Sequence, residues 1–193
     1  IVSYGQEGFD FSGQFSSFIN YSSDNVPPLW GGARYIPELN YGIGLENNIL
    51  IDMELSANIF GNTGTSNFRI FEANGKIKPY RGWLRLSSDQ FELRLGLQKL
   101  NFGSASILRP LMWFDQLDPT DPLQLTDGVW GILGRYYFLN NINIWAWGLY
   151  GNKNPMGFEI VPSNKRIPEF GGRAQFPIGI GEMALTYHHR VAD

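Results

Sequence analysis

The chain has 193 residues, of which 43% are apolar, 15% aromatic and only 17% charged, so it is too hydrophobic to stay disordered. A net charge of −3, a pI near 5.4 and the lack of any basic cluster argue against nucleic acid as the main partner. No run approaches the roughly 20 apolar residues of a membrane helix, which excludes a helical membrane protein but leaves open a barrel, whose lipid-facing residues are interleaved with polar ones. Cysteine is absent, which suits an envelope protein but also many cytosolic ones.

Nine stretches alternate apolar and polar residues at period two. They are predicted as strands at 9–22, 32–46, 49–60, 76–87, 91–102, 128–138, 142–151, 168–177 and 182–191. In the first, Phe9, Phe11, Phe15 and Ile19 share a face opposite Asp10, Ser12, Gln14 and Ser16. In the second, Ala33, Tyr35, Leu39, Tyr41, Ile43 and Leu45 oppose Arg34, Glu38, Asn40 and Glu46. The third sets Ile51, Met53, Leu55 and Ile59 against Asp52, Glu54, Ser56 and Asn58. The fifth sets Phe91, Leu93, Leu95 and Leu97 against Glu92, Arg94 and Gln98, and the last sets Met183, Leu185 and Tyr187 against Glu182, Thr186, His188 and Arg190. The seventh is apolar on both faces, so Trp145 and Trp147 point either to lipid or to something packed inside.

The connections alternate. Those around Asn47-Asn48, Ser88-Asp89, Asn140-Asn141 and Gly179 are tight and built from residues that tolerate positive φ. Those at about 23–31, 61–75, 103–127 and 152–167 are predicted to be long. An antiparallel transmembrane up-and-down β-barrel is written this way, with short periplasmic turns and long outer loops, so the N-terminus is expected in the periplasm. Bacterial single-chain barrels have an even strand number, so these 193 residues are read as one domain forming an N-terminal portion of a larger barrel of about 16 to 18 strands. A soluble barrel or sandwich would also alternate, but with its apolar face inward and its Arg and Glu outside.

The residues of opposite parity are then lumen-lining: Arg34, Glu38, Glu54, Arg81, Arg85, Glu92, Arg94, Arg135, Glu169, Arg173 and Arg190. A charge facing lipid at mid-depth costs roughly 2–4 kcal/mol, so several charges on one strand face put that face in water. Trp83 and Tyr137 share this inward parity. The 103–127 loop is too long for simple connection and carries Arg109, Asp115, Asp118, Asp121 and Asp127. Folded inward, it would form a constriction facing wall arginines such as Arg81, Arg85, Arg94 and Arg135. Folded outward, it would be a lid or adhesive surface with Asp-Pro turns.

The stretch from Leu93 to Gly103, LRLGLQKLNFG, followed by Leu108 to Asp115, LRPLMWFD, then Asp118-Pro119 and Asp121-Pro122, resembles porin-like outer-membrane barrels of Gram-negative bacteria, a loose group that includes polymer-export and diffusion porins. In that group a strand of this form leads into a long Asp/Pro-rich loop and then an aromatic-rich strand, here Val129 to Phe138. The resemblance implies location in the bacterial outer membrane and an aqueous path for small solutes or polymers. The alternative is a non-conducting barrel serving as a structural or docking component of an envelope or secretion assembly. Expected partners are outer-membrane lipid and a small-molecule or polymer permeant, with a homo-oligomer or an envelope protein partner left open.

No enzyme, cofactor or metal site is expected. The two histidines, His188 and His189, are adjacent on a strand and so face opposite sides, which prevents them from gripping one metal or substrate together. The loop aspartates lack the close Asp-x-Asp-x-Asp-Gly spacing of a calcium loop. No P-loop or Gly-x-Gly-x-x-Gly pattern occurs.

Overall fold

The computed structural model describes residues 8–24, 26–66, 69–102, 113–117, 125–154, 156, 157, 164 and 166–190. Eleven strands and no helix occur among them: β1 (Gly8–Tyr21), β2 (Leu29–Leu45), β3 (Ile49–Ser66), β4 (Arg69–Ser87), β5 (Phe91–Gln98), β6 (Gln116–Leu117), β7 (Thr126–Asp127), β8 (Val129–Tyr137), β9 (Asn143–Leu149), β10 (Glu169–Ile178) and β11 (Gly181–His189). Nine of them form one antiparallel up-and-down sheet in the order β1-β2-β3-β4-β5-β8-β9-β10-β11. The other two, β6 and β7, form a separate two-residue ladder inside the connection between β5 and β8.

The antiparallel up-and-down order of nine strands expected from sequence is present, and the sheet is open. An odd number of alternating strands leaves β1 and β11 running in the same direction, so the antiparallel ladder used at every other junction is not available to join them. Two further boundaries differ. Where a long loop is predicted at 61–75, β3 and β4 run on as an extended hairpin to Ser66 and Arg69. Polar Asn62, Thr63 and Asn74 occupy that extension, and Thr63 Oγ1 donates across it to the Glu72 carbonyl at 3.1 Å. At the other end of the motif strand, β5 stops at Gln98 instead of continuing to 102.

Register explains how the faces are kept. Residues directly opposite each other share a face, and rows can be followed across the sheet. One row runs Gly42, Asp52, Arg85, Arg94, Leu133, Trp147, Gly171, His188. The next runs Leu50, Ser87, Glu92, Arg135, Trp145, Arg173, Thr186. Between Ser56 and Ala57 the β3–β4 register slips, leaving Tyr80 as the extra residue of a β-bulge next to Pro79, which cannot donate to a ladder. Below the bulge Arg81, Trp83 and Arg85 face the polar side. Beyond it Lys76 and Lys78 do, because the parity of β4 has been reversed.

The two faces have inverted exposure for a water-soluble sheet. Phe11 (67%), Leu95 (57%) and Leu185 (61%) lie bare on the apolar face, whereas Asn58 and Gln98 (both 0%) and Glu169 (4%) are buried on the polar face. A buried apolar cluster of Leu100, Phe102, Phe114, Val129, Leu133, Trp147, Leu149 and Met156 also sits on the polar side, where the connections fold back. Turns are set by residues that accept left-handed backbone, Asn47 (φ 63°), Asn48 (φ 58°), Asn141 (φ 63°) and Gly179 (φ 58°). Asn48 Nδ2 donates to Asp89 Oδ2 at 3.2 Å, tying two neighbouring turns together.

Gly96 has φ 123°, and a Cβ there would collide with the Gly82 carbonyl of the next strand. Gly96→Ala is therefore expected to lose about 1–3 kcal/mol in denaturant titration. Gly75→Ala, where a Cβ meets only ordinary contacts, should change stability by less than about 0.5 kcal/mol.

Candidate functional site: the polar face and its overlying loop

All eleven charged residues read from sequence as lumen-lining share the polar face by register. Each cation is held in place by an aromatic ring or a carboxylate. Arg85 forms a bidentate pair with Asp52, Nε to Oδ1 at 2.9 Å and Nη2 to Oδ2 at 2.6 Å, a geometry matched to the planar guanidinium. Glu92 accepts from Arg94 Nη2 at 3.0 Å and from Arg135 Nη1 at 3.5 Å, so one carboxylate serves two guanidiniums. Arg94 lies over the Trp83 ring at 4.6 Å, and Trp83 Nε1 in turn donates to Glu54 Oε2 at 3.0 Å. Arg135 lies over Trp145 at 4.1 Å and Arg173 over Phe102 at 5.7 Å.

The remaining members sit at the margins of this network. Arg173 donates to Thr186 Oγ1 at 3.2 Å and to Gln175 Oε1 at 3.5 Å. Glu38 accepts from Asn40 at 2.7 Å, and Arg34 lies over the Phe60 ring at 5.4 Å. Glu169, nearly fully buried, has Oε2 3.3 Å from His188 Nε2 and Oε1 4.0 Å from Arg190 Nε. Gln98 is buried by donating to the carbonyl of Gly131 on β8 at 3.1 Å.

The connection between β5 and β8 turns onto this face. Of its residues singled out in the sequence, Arg109, Asp118 and Asp121 lie outside the described residues. Asp127 meets the wall at Lys78, Nζ to Oδ2 2.7 Å, and Arg81 Nη2 donates to the neighbouring Thr126 carbonyl at 3.0 Å. Asp115 is buried, and its carbonyl accepts from Gly157 N at 2.7 Å, joining this loop to the one between β9 and β10. The latter is anchored by Asn152, which donates to the Trp130 carbonyl at 2.9 Å while accepting from Trp130 N at 2.8 Å.

Sequence reading missed two parts of the site. Lys78 escaped because the bulge at Tyr80 reverses its parity; the signal available was Pro79 inside an otherwise regular strand. The second is an aromatic cluster. Phe102 centres it, at 5.0 Å from Trp147, 5.4 Å from Phe114, 5.7 Å from Trp145 and 6.5 Å from Trp113. Trp145 and Trp147 thus point to the polar side, and Trp147 reaches its place because Gly171 opposite it has no side chain; a Cβ there would lie 2.6 Å from the indole. Trp147 Nε1 donates to His188 Nδ1 at 3.2 Å, and His188 stacks on Trp113 at 5.7 Å. His189 points the other way, onto Phe170 at 4.9 Å.

Chemically the arrangement is a wall of fixed charges and rings. Among the described residues no group of three His, Cys, Asp or Glu could hold a metal ion. No family model, curated protein or solved structure matches the chain.

Glu92 neutralises two half-buried arginines, so Glu92→Gln should destabilise the fold by about 3 kcal/mol in denaturant titration, because it leaves both charges without a carboxylate. The exposed Glu182, which accepts from Gln175, should tolerate the same change at under about 1 kcal/mol.

Proposed function

We propose that this sheet is the wall of a Gram-negative outer-membrane β-barrel that gives small solutes or polymers a passive aqueous path. The observation that carries this reading is the inverted exposure of the two faces. A continuous apolar surface on one side of a nine-stranded sheet is far larger than the patches soluble monomers expose, and lipid is the solvent that suits it. The lengths of β8, β10 and β11, at 9, 10 and 9 residues, match the roughly 9–11 tilted residues that span a bilayer. In lipid the free edges of β1 and β11 would leave backbone groups unsatisfied at several kcal/mol each, so the working form is closed by further strands. The likeness of 93–122 to porin-like barrels points the same way.

The path would be filtered by the polar face. Acidic Glu38, Asp52 and Glu54 lie on β2 and β3, while Arg81, Arg85, Arg94, Arg135 and Arg173 dominate from β4 to β10. Curved around a lumen, these two groups set up a transverse field that sorts permeants by charge, and the β5–β8 loop narrows the passage by size. The second reading, a non-conducting barrel that docks an envelope or secretion partner, is favoured by one feature: the Phe102 cluster packs apolar bulk onto the polar side, as a plug would.

Single-channel recording of the full-length product in planar bilayers separates these. Stable conductance whose cation-to-anion preference rises in Arg94→Glu is the expected result; a folded barrel that stays silent even after deletion within 103–127 supports the docking reading. Lipid contact is tested apart from conduction. Leu95→Arg on the apolar face should cost about 2–4 kcal/mol of folding free energy in liposomes, with little change for a substitution at exposed Leu139 in a turn.

A further inference from the structure

Three residues of one row across the sheet carry buried N–H groups that nothing in the described chain accepts. Arg135 of β8, Trp145 of β9 and Arg173 of β10 are directly opposite one another in register, so their side chains share the polar face on three consecutive strands. Arg135 Nε, Trp145 Nε1 and Arg173 Nε are buried and without a hydrogen-bond partner among the described residues, and so is Arg94 Nε in the neighbouring row. Each guanidinium is tied down at an Nη: Arg94 and Arg135 to Glu92, Arg173 to Thr186 Oγ1 and Gln175 Oε1. Rings hold two of them in place. Arg135 lies over Trp145 at 4.1 Å, Arg173 over Phe102 at 5.7 Å, and these two rings are neighbours at 5.7 Å.

We propose that Arg135, Trp145 and Arg173 form a binding site for an oxyanion, the carboxylate or phosphate group of a solute, an inference that rests on the reading of the polar face as the water-facing one. The donor set selects the ligand. Guanidinium and indole N–H groups donate and cannot accept, so the row takes acceptor groups and turns ammonium groups away. Charge narrows the choice further. Arg94 and Arg135 share the single carboxylate of Glu92, and among the described residues no carboxylate lies within ion-pair distance of Arg173, so the row and its neighbour carry cations in excess. Water or a neutral hydroxyl would satisfy the N–H groups one at a time and leave that excess uncompensated. An oxyanion does both at once, through the short, charge-assisted N–H to oxygen bonds that guanidiniums form with carboxylate and phosphate. Because the arginines are already restrained by Glu92, Thr186, Gln175 and the two rings, little side-chain freedom is left to lose on binding.

The test is equilibrium dialysis of the full-length product, folded in liposomes, against radiolabelled inorganic phosphate, with succinate as competitor. Saturable phosphate binding is expected, about tenfold weaker in Arg173→Gln and several-fold weaker in Trp145→Phe, which removes the indole N–H but keeps a ring under Arg135. Arg173→Lys, which keeps the charge without the planar fork, should fall between the native chain and Arg173→Gln. Lys153→Gln removes an exposed cation outside the sheet and should bind like the native chain. Displacement by succinate marks a site open to carboxylates, and phosphate that stays bound marks one restricted to phosphate; both uphold an oxyanion site. Phosphate that does not bind saturably, or binding weakened equally by Arg173→Gln and Lys153→Gln, overturns the proposal. If Arg173→Gln does not fold, Trp145→Phe and Arg173→Lys decide by the same comparison. Conductance recorded in parallel keeps this inference apart from the channel reading. Binding to a barrel that never conducts upholds the site and sinks the channel, whereas open channels that bind no phosphate do the reverse.

Discussion

A sheet in which every strand pairs antiparallel with its neighbour fixes, residue by residue, which side chains share a face. Everything else in this protein depends on that register. A slip of one residue at any junction would carry Arg85 or Arg94 to the apolar side and Leu84 or Leu95 to the polar one. The register slip at Tyr80 shows how local the consequence can be: the strand keeps its pairing but changes parity, and the lysines beyond it join the arginines before it. The result is one wall on which charged residues and aromatic rings share rows from β3 to β10.

Those rows are held rigid by sharing. Glu92 sits between Arg94 and Arg135, Trp83 between Arg94 and Glu54, and Trp145 in register between Arg135 and Arg173. Stacking a guanidinium on a ring and pairing it with a carboxylate restricts its rotamers, so the charges stand at defined points instead of sweeping the space in front of the sheet. A wall of this kind sorts by charge with little adjustment of its own. The loops add a second layer. Lys78 to Asp127, Arg81 to Thr126 and His188 against Trp113 and Phe114 fasten the β5–β8 connection to the sheet, and Asp115 to Gly157 fastens one loop to the other.

Alternation made the strand pattern legible, most clearly from Phe91 to Gln98, where Phe91, Leu93, Leu95 and Leu97 trade places with Glu92, Arg94, Gly96 and Gln98. The charged face could be named from parity because lipid and water punish the wrong assignment strongly. What stayed hidden lacked that pressure. The first arm of the extended β3–β4 hairpin, from Gly61 to Ser66, is all Gly, Asn, Thr and Ser, residues that also build loops, so its composition does not distinguish strand from loop. Trp145 and Trp147 have apolar neighbours on either face, and only Arg135, Gly171 and His188, each on a different strand, decide which way they point.

The sequence by itself determined a chain of nine antiparallel strands with one apolar and one charged face, because period-two burial leaves its mark on every strand separately. Only the tertiary structure decided that a bulge at Tyr80 recruits Lys78 and that Trp113 and Phe114 come to rest on His188. These depend on pairings between residues 20 to 75 positions apart, and local alternation carries no record of them.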